Sequence, residues 1–274
     1  MQKIFDTHLH LSENKDDGLT RYAWANGLAY SLDELLDTMK KNGIQRGLLL
    51  SPPLHGSGCV PNEQILALSN QRADVLSPVV TVDPPIGNVK AAVRFARENR
   101  KKIRAFKIRL GYVKGTANDH VFDRVYDFAE SQRLPVLFHT GDTASSNGDL
   151  AAAHPLSLDR LANKRERLTI VLCHFGNPWF DDVAELMYKH PNIYADTSGL
   201  ITGGHEYEQR YSEWLARRIS EAIYYVGSAE KVLFGTDYPV TKHSDALGLI
   251  RKLDISELDK EKILWHNAER LFGP

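Results

Sequence analysis

Short apolar runs alternate with amphipathic stretches along almost the whole chain. The first run, Ile4-Phe5, leads straight into Asp6-Thr7-His8-Leu9-His10. Strand geometry would put Asp6, His8 and His10 on one face and Thr7 and Leu9 on the other. Similar runs predict seven further strands, over 47–50, 78–82, 105–108, 135–139, 168–174, 192–196 and 231–236. The stretches between them carry the helical period. Ser31 reads as an N-cap followed by Asp33 and Glu34. Leu32, Leu35, Leu36 and Met39 then form one apolar face, and Asn42-Gly43 ends the helix. Further helices are predicted over 62–73, 89–100, 119–132, from Pro155 onward, and over 178–190, 207–226, 243–252 and 256–271. Residues 11–30 read as a polar loop holding Tyr22, Trp24 and Tyr30.

Near-continuous apolar strands, each followed by a helix, imply a parallel sheet covered by helices. Eight such units fit a (β/α)₈ TIM barrel. A doubly wound open sheet is the alternative. It usually announces itself by a Gly-rich turn after the first strand, and here that place holds Asp-Thr-His-Leu-His. No linker or composition break divides the chain, so residues 1–274 are expected to be one domain.

Charge and cysteine content narrow the function classes. The formal net charge is −1, which gives no support to nucleic-acid binding. No apolar run is long enough to span a bilayer as a helix, so no membrane partner is expected. No targeting segment is recognised ahead of the first strand. Cys59 and Cys173 are the only cysteines, which suits a reducing cytoplasm better than a disulfide scaffold. Cys173 sits in an apolar run and is expected to be a buried packing residue.

In a barrel, chemistry collects at the C-terminal ends of the strands. Those ends here carry Asp6, His8 and His10, then Lys107 and Arg109, then His139, His174 and Asp237. Imidazole and carboxylate together suit Zn²⁺, and also Mn²⁺, Fe²⁺ or Co²⁺. His120, His190, His205, His243 and His266 fall on predicted helices or loops and are expected at the solvated surface, while His55 and His154 in rim loops stay open.

Five stretches and a closing segment then carry a resemblance. They are Asp6-Thr7-His8-Leu9-His10, Phe106-Lys107-Ile108-Arg109, Pro135-Val136-Leu137-Phe138-His139-Thr140-Gly141, Cys173-His174-Phe175-Gly176, Phe234-Gly235-Thr236-Asp237-Tyr238-Pro239, and Asn267-Ala268-Glu269-Arg270-Leu271-Phe272. In this order they make the chain resemble the metal-dependent amidohydrolase superfamily. The branch it is most similar to includes aminocarboxymuconate-semialdehyde decarboxylase and several lactone hydrolases. The resemblance implies that His8, His10, His139 and Asp237 bind one divalent metal, Zn²⁺ first and Mn²⁺ or another ion as alternatives. It implies that His174 lies beside the metal water and that Asp237 accepts its proton. Lys107 stands near the place where two-metal members carry a carboxylated lysine, so a second ion is the alternative there.

The expected partner is a small-molecule substrate. Arg109 could hold its carboxylate through paired hydrogen bonds, or could instead pair with a neighbouring acid. Lys107 shares a face with Arg109. Tyr112, Asp142, Trp179 and Tyr238 are candidate pocket walls. The first expectation is a hydrolase of a small, carboxylated ester, lactone or amide using a metal-activated water. The alternative is a non-oxidative decarboxylase built on the same residues. A non-catalytic metal-binding protein is the third reading. A homodimer could form through the loop 19–30 and the long helix 207–226.

Overall fold

A computed structural model describes residues 2–13, 17–54, 58–202 and 208–273. Eight parallel strands follow one another in a single sheet, in chain order. They are β1 (Ile4–His10), β2 (Ile44–Leu50), β3 (Leu76–Thr81), β4 (Ala105–Ile108), β5 (Val136–Phe138), β6 (Ile170–Leu172), β7 (Ile193–Asp196) and β8 (Val232–Leu233). The ring closes through backbone bonds beyond the short last strand. Thr7 N–H donates to the Phe234 carbonyl (2.9 Å), Asp237 N–H to His8 (2.7 Å), and His10 N–H to Tyr238 (2.8 Å). This is the expected TIM barrel.

Alternate strand residues serve two cores. Ile4, Leu9, Val80, Phe106, Ile108, Val136 and Phe138 pack outward against the helices. Phe5, Leu48, Val79, Ala105, Leu137, Val171 and Leu233 point into the barrel. The C-terminal segment plugs one end. Trp265 and Phe272 each rest on Phe5 with ring centroids 6.1 Å apart. With that floor sealed by apolar side chains, polar chemistry is left to the opposite rim.

Three sequence expectations are corrected. The first strand is not evenly alternating: Asp6 pairs with Gly47 and Leu9 with Leu49, so β1 spends one residue more than β2. Such a bulge resets the side-chain alternation. Asp6 therefore does not share the face of His8 and His10. Its carboxylate accepts from the Thr236 N–H (3.1 Å), the Thr236 hydroxyl (2.7 Å) and the His8 N–H (3.0 Å). Second, the 11–30 stretch contains a short helix, Thr20–Ala25. Third, two histidines expected at the surface are buried. His190 sits 2.7 Å from an Asp159 oxygen, and His243 lies under Tyr238 with ring centroids 5.1 Å apart. Both belong to amphipathic helix ends where packing overrides polarity. His120 and His266 are exposed, and His55 and His205 lie outside the described residues.

Candidate metal centre

The rim opens on a cavity of about 550 Å³ lined by His8, His10, Lys107, His139, His174 and Asp237, among others. Each arrives by a different local device. The β1 bulge turns His8 and His10 inward together. After β6 the chain leaves extended geometry, and His174 (φ 62°), Phe175 (φ 49°) and Gly176 (φ 58°) turn the backbone so that the His174 ring reaches the cavity. Asp237 also takes the left-handed region (φ 61°), which Asp tolerates better than most residues because its short side chain can bond locally.

His8, His10 and Asp237 offer ligand atoms that all lie within 4.8 Å of one another. Asp237 Oδ1 is 3.0 Å from His10 Nε2 and 3.4 Å from His8 Nε2. Among the described residues His139 does not join this tight group. Its Nε2 donates to the Asp142 carbonyl (2.9 Å), while its ring lies 4.8 Å from that of His174.

The histidines are held in defined tautomers. His10 Nδ1 faces the Leu50 carbonyl (3.1 Å) and His174 Nδ1 faces the Ser198 carbonyl (3.1 Å). A carbonyl only accepts, so those nitrogens carry the proton and the Nε2 lone pair is left available. His8 Nδ1 faces the Asp196 carboxylate (3.1 Å), with the same result. This outer support is what a metal-ligating imidazole needs. Burial pushes His8 down to about 3, with Lys107 adding to the effect, and burial drives His139 well below the ordinary value. Both rings are thus neutral, as metal binding requires. Burial alone would raise the Asp237 carboxyl, but His10, His8 and His174 outweigh it and hold it well below the usual range. The donor set of neutral imidazoles around an ionised carboxylate fits a divalent ion.

Asp196, at the end of β7, was not singled out in the sequence. One of its oxygens faces His8; the other accepts from the His174 N–H (2.9 Å) and the Ser198 N–H (3.1 Å). It thereby locks His8, His174 and Ser198 with one fully buried carboxylate. Its place as an acid at a barrel strand end was the available signal. Gly199 follows. A Cβ there would meet Asp237 Oδ2 and His174 Nδ1, each at 2.9 Å, and its φ is +66°. Gly199→Ala is expected to displace both groups and lower turnover about 10²-fold, since small misplacements in a site are that costly. Steady-state kinetics beside metal content will check this, because a defect in positioning alone leaves the metal in place.

The remaining sequence candidates divide. Lys107 lines the cavity, and its Nζ donates to the buried Cys173 Sγ (2.9 Å). Arg109 also lines it, but Nη2 is engaged by Asp83 Oδ2 (3.0 Å) and the Gly58 carbonyl (3.2 Å). Tyr112 and Asp142 line it too, Tyr112 with its ring 4.8 Å from that of His139. Trp179 and Tyr238 do not line this cavity. Trp179 packs on His154 at 4.5 Å, and Tyr238 is buried outward against His243.

Comparison with known proteins agrees with this architecture. An alignment of 147 positions, covering 46% of the chain, is 28% identical to gamma-resorcylate decarboxylase of Polaromonas sp. (strain JS666 / ATCC BAA-500). The match spans 41% of that relative, less than half its length. Among solved structures, an uncharacterised TIM-barrel protein of Bordetella bronchiseptica superposes with a TM-score of 0.77 at 22% identity, covering 98% of both chains. A probable 2-pyrone-4,6-dicarboxylic acid hydrolase of Acinetobacter baumannii gives 0.70 at 17%, covering 99% of both. A dihydroxybenzoic acid decarboxylase of Polaromonas sp. JS666, with bound manganese and 2-nitroresorcinol, gives 0.69 at 15%, covering 99% of this chain and 97% of its own. At these identities the structures speak for the fold. The model of one family matches residues 5–273, and the chain belongs to that family, the amidohydrolases.

Proposed function

We propose that the chain is a single-domain, metal-dependent hydrolase of a small carboxylated ester, lactone or amide. The observation that carries this is the set of tautomer-locked imidazoles around Asp237, open to a cavity whose far end is sealed. His8, His10 and Asp237 would hold one divalent ion, with His139 completing the set. When bound, such an ion supplies Lewis acidity toward an oxygen and lowers the pKa of a water. Asp237 is the proton acceptor: its carboxyl is ionised at neutral pH and lies against the ligand nitrogens. His174, held through Nδ1–H by the Ser198 carbonyl, leaves its Nε2 lone pair free to take up that proton and pass it to the leaving group. Lys107 and Arg109 bring positive charge toward a substrate carboxylate. The placement of Lys107 Nζ against the buried Cys173 Sγ supports one ion over two. The unpaired thiols Cys59 and Cys173 suit the cytoplasm.

Decarboxylation is the second reading, favoured by the sequence match to gamma-resorcylate decarboxylase. There the same cations would hold the carboxylate, and protonation of the substrate carbon would replace attack by water.

Metal content tests the shared premise. Protein purified without added metal is expected to hold about one equivalent of Zn²⁺ or Mn²⁺ by elemental analysis, and the His8→Ala/His10→Ala variant to hold none. Chelation should abolish turnover, and the ion that restores it best identifies the working metal. Two equivalents would bring in Lys107 and His174 as ligands. A metal-free protein that turns over normally would end the proposal. Products of lactones and carboxylated aromatics then separate the readings: water added without CO₂ means hydrolase, and CO₂ release means decarboxylase.

A further inference from the structure

A second and larger cavity, of about 1070 Å³, meets the first at Arg109 and Tyr112 and extends along the helix Ile86–Glu98 as far as Glu98. It lies between the segment after β2, the end of β3, the helix Ile86–Glu98 and the loop after β4. Only Arg109 and Tyr112 line both cavities among the described residues, so these two side chains form the partition. They are fixed from opposite sides. Arg109 donates to Asp83 and to the Gly58 carbonyl, which both line the second cavity. Tyr112 accepts from the Ala144 N–H (2.7 Å) and packs edge-on against His139, which both line the first. The waist between the cavities is therefore a tethered guanidinium beside a tethered ring.

The second cavity differs in character from the first. Its inner wall is made by Pro84, Ala92, Phe95 and Val113, which are buried or half-buried, whereas Glu63, Arg94, Glu98 and Lys114 stand at its exposed edge. Among the described residues that line it there is no histidine. Such a space suits an apolar group whose far end meets water.

We propose that the natural substrate is a two-part organic acid. Its reacting group occupies the metal-side cavity, an acidic group lies at the waist against Arg109, and an aryl or alkyl arm extends into the second cavity. The idea rests on the metal-site reading for its first half only. The first cavity alone accommodates a one-ring acid; the second gives the chain room to distinguish a longer molecule from it. Arg109, on this view, is held by Asp83 so that it faces the waist rather than collapsing across it.

The probes are benzoate and 2-phenylbenzoate, whose carboxylate sits at the junction of its two rings, titrated by calorimetry into manganese-loaded protein. The extra ring is expected to tighten binding by about tenfold, a discounted share of the apolar area it removes from water. Ala91 and Asn88 both line the second cavity from the helix Ile86–Glu98. Ala91→Trp and, as a second variant, Asn88→Trp are expected to remove the preference and leave benzoate affinity unchanged. Thermal unfolding will confirm that each variant is folded. Equal affinities in the parent protein, no binding of either probe, or a preference that survives both tryptophans would each overturn the proposal. Manganese content of the same samples reports on the metal site separately. Protein that takes up no manganese yet prefers the longer acid would sink the metal reading and keep the two-part site; loaded protein without the preference would do the opposite.

Discussion

Asp237→Asn is expected to lower turnover by about 10²–10⁴-fold while leaving the fold intact. The amide keeps the shape of the carboxylate but can neither accept the proton nor offer the same charge to an ion between His8 and His10. The choice of Asn matters for the backbone. Residue 237 has φ 61°, and Asn is among the few residues that occupy that region readily. A loss of activity in this variant therefore reports on the side chain and not on a sprung loop. Kinetics, metal content and thermal unfolding should be measured together. Turnover within a few-fold of the parent would refute Asp237 as the proton acceptor.

The second large effect is expected at Asp196. Its carboxylate is fully buried, and in Asp196→Ala the His8 Nδ1, the His174 N–H and the Ser198 N–H all lose their acceptor. Leaving these buried donors without an acceptor is expected to destabilise the fold by about 1–3 kcal/mol for each. Asp196→Asn keeps the volume and one oxygen, so it isolates the effect on the site. It should weaken metal binding by about 10–100-fold, because His8 loses the group that orients its ring. Denaturant unfolding of the Ala variant and metal titration of the Asn variant check the two parts. An Asn variant that binds metal as tightly as the parent would show that Asp196 is only a structural hub.

The sign of the electrostatics at Asp196 follows from its surroundings. Burial alone would raise this carboxyl, but His8, His174 and Lys107 hold it below the ordinary carboxylate range. A depressed carboxyl contributes stability above its unfolded pKa, and that contribution is lost as pH falls through the folded one. Asp6 is the opposite case. Without a cation against it, burial pushes it up to about 7 despite the bonds from Thr236 and His8. Two buried acids at neighbouring strand ends thus differ because one faces imidazoles and an ammonium and the other faces a hydroxyl and backbone amides.

The barrel was legible in the chain because its signals are local. Each strand needs only a few consecutive apolar residues and each helix only a periodic face, so eight strand–helix units could be counted along the sequence. The residues at the strand ends followed from the same count, and His8, His10, Lys107, His139, His174 and Asp237 do line one cavity. The direction of individual side chains was not legible. Asp6 looked like a partner of His8 and His10, but a one-residue bulge set by pairing with β2 turned it away. Tyr238 looked like a pocket wall, but the left-handed turn at Asp237 sends it outward onto His243. Asp196 showed only its place at a strand end, since its role comes from reaching His8, which lies 188 residues away in the chain. Composition, periodicity and strand-end chemistry belong to short stretches and are determined by the sequence itself. Tautomers, the tethering of Arg109 by Asp83, and the two cavities that meet at it depend on contacts between distant segments, which exist only once the ring has closed.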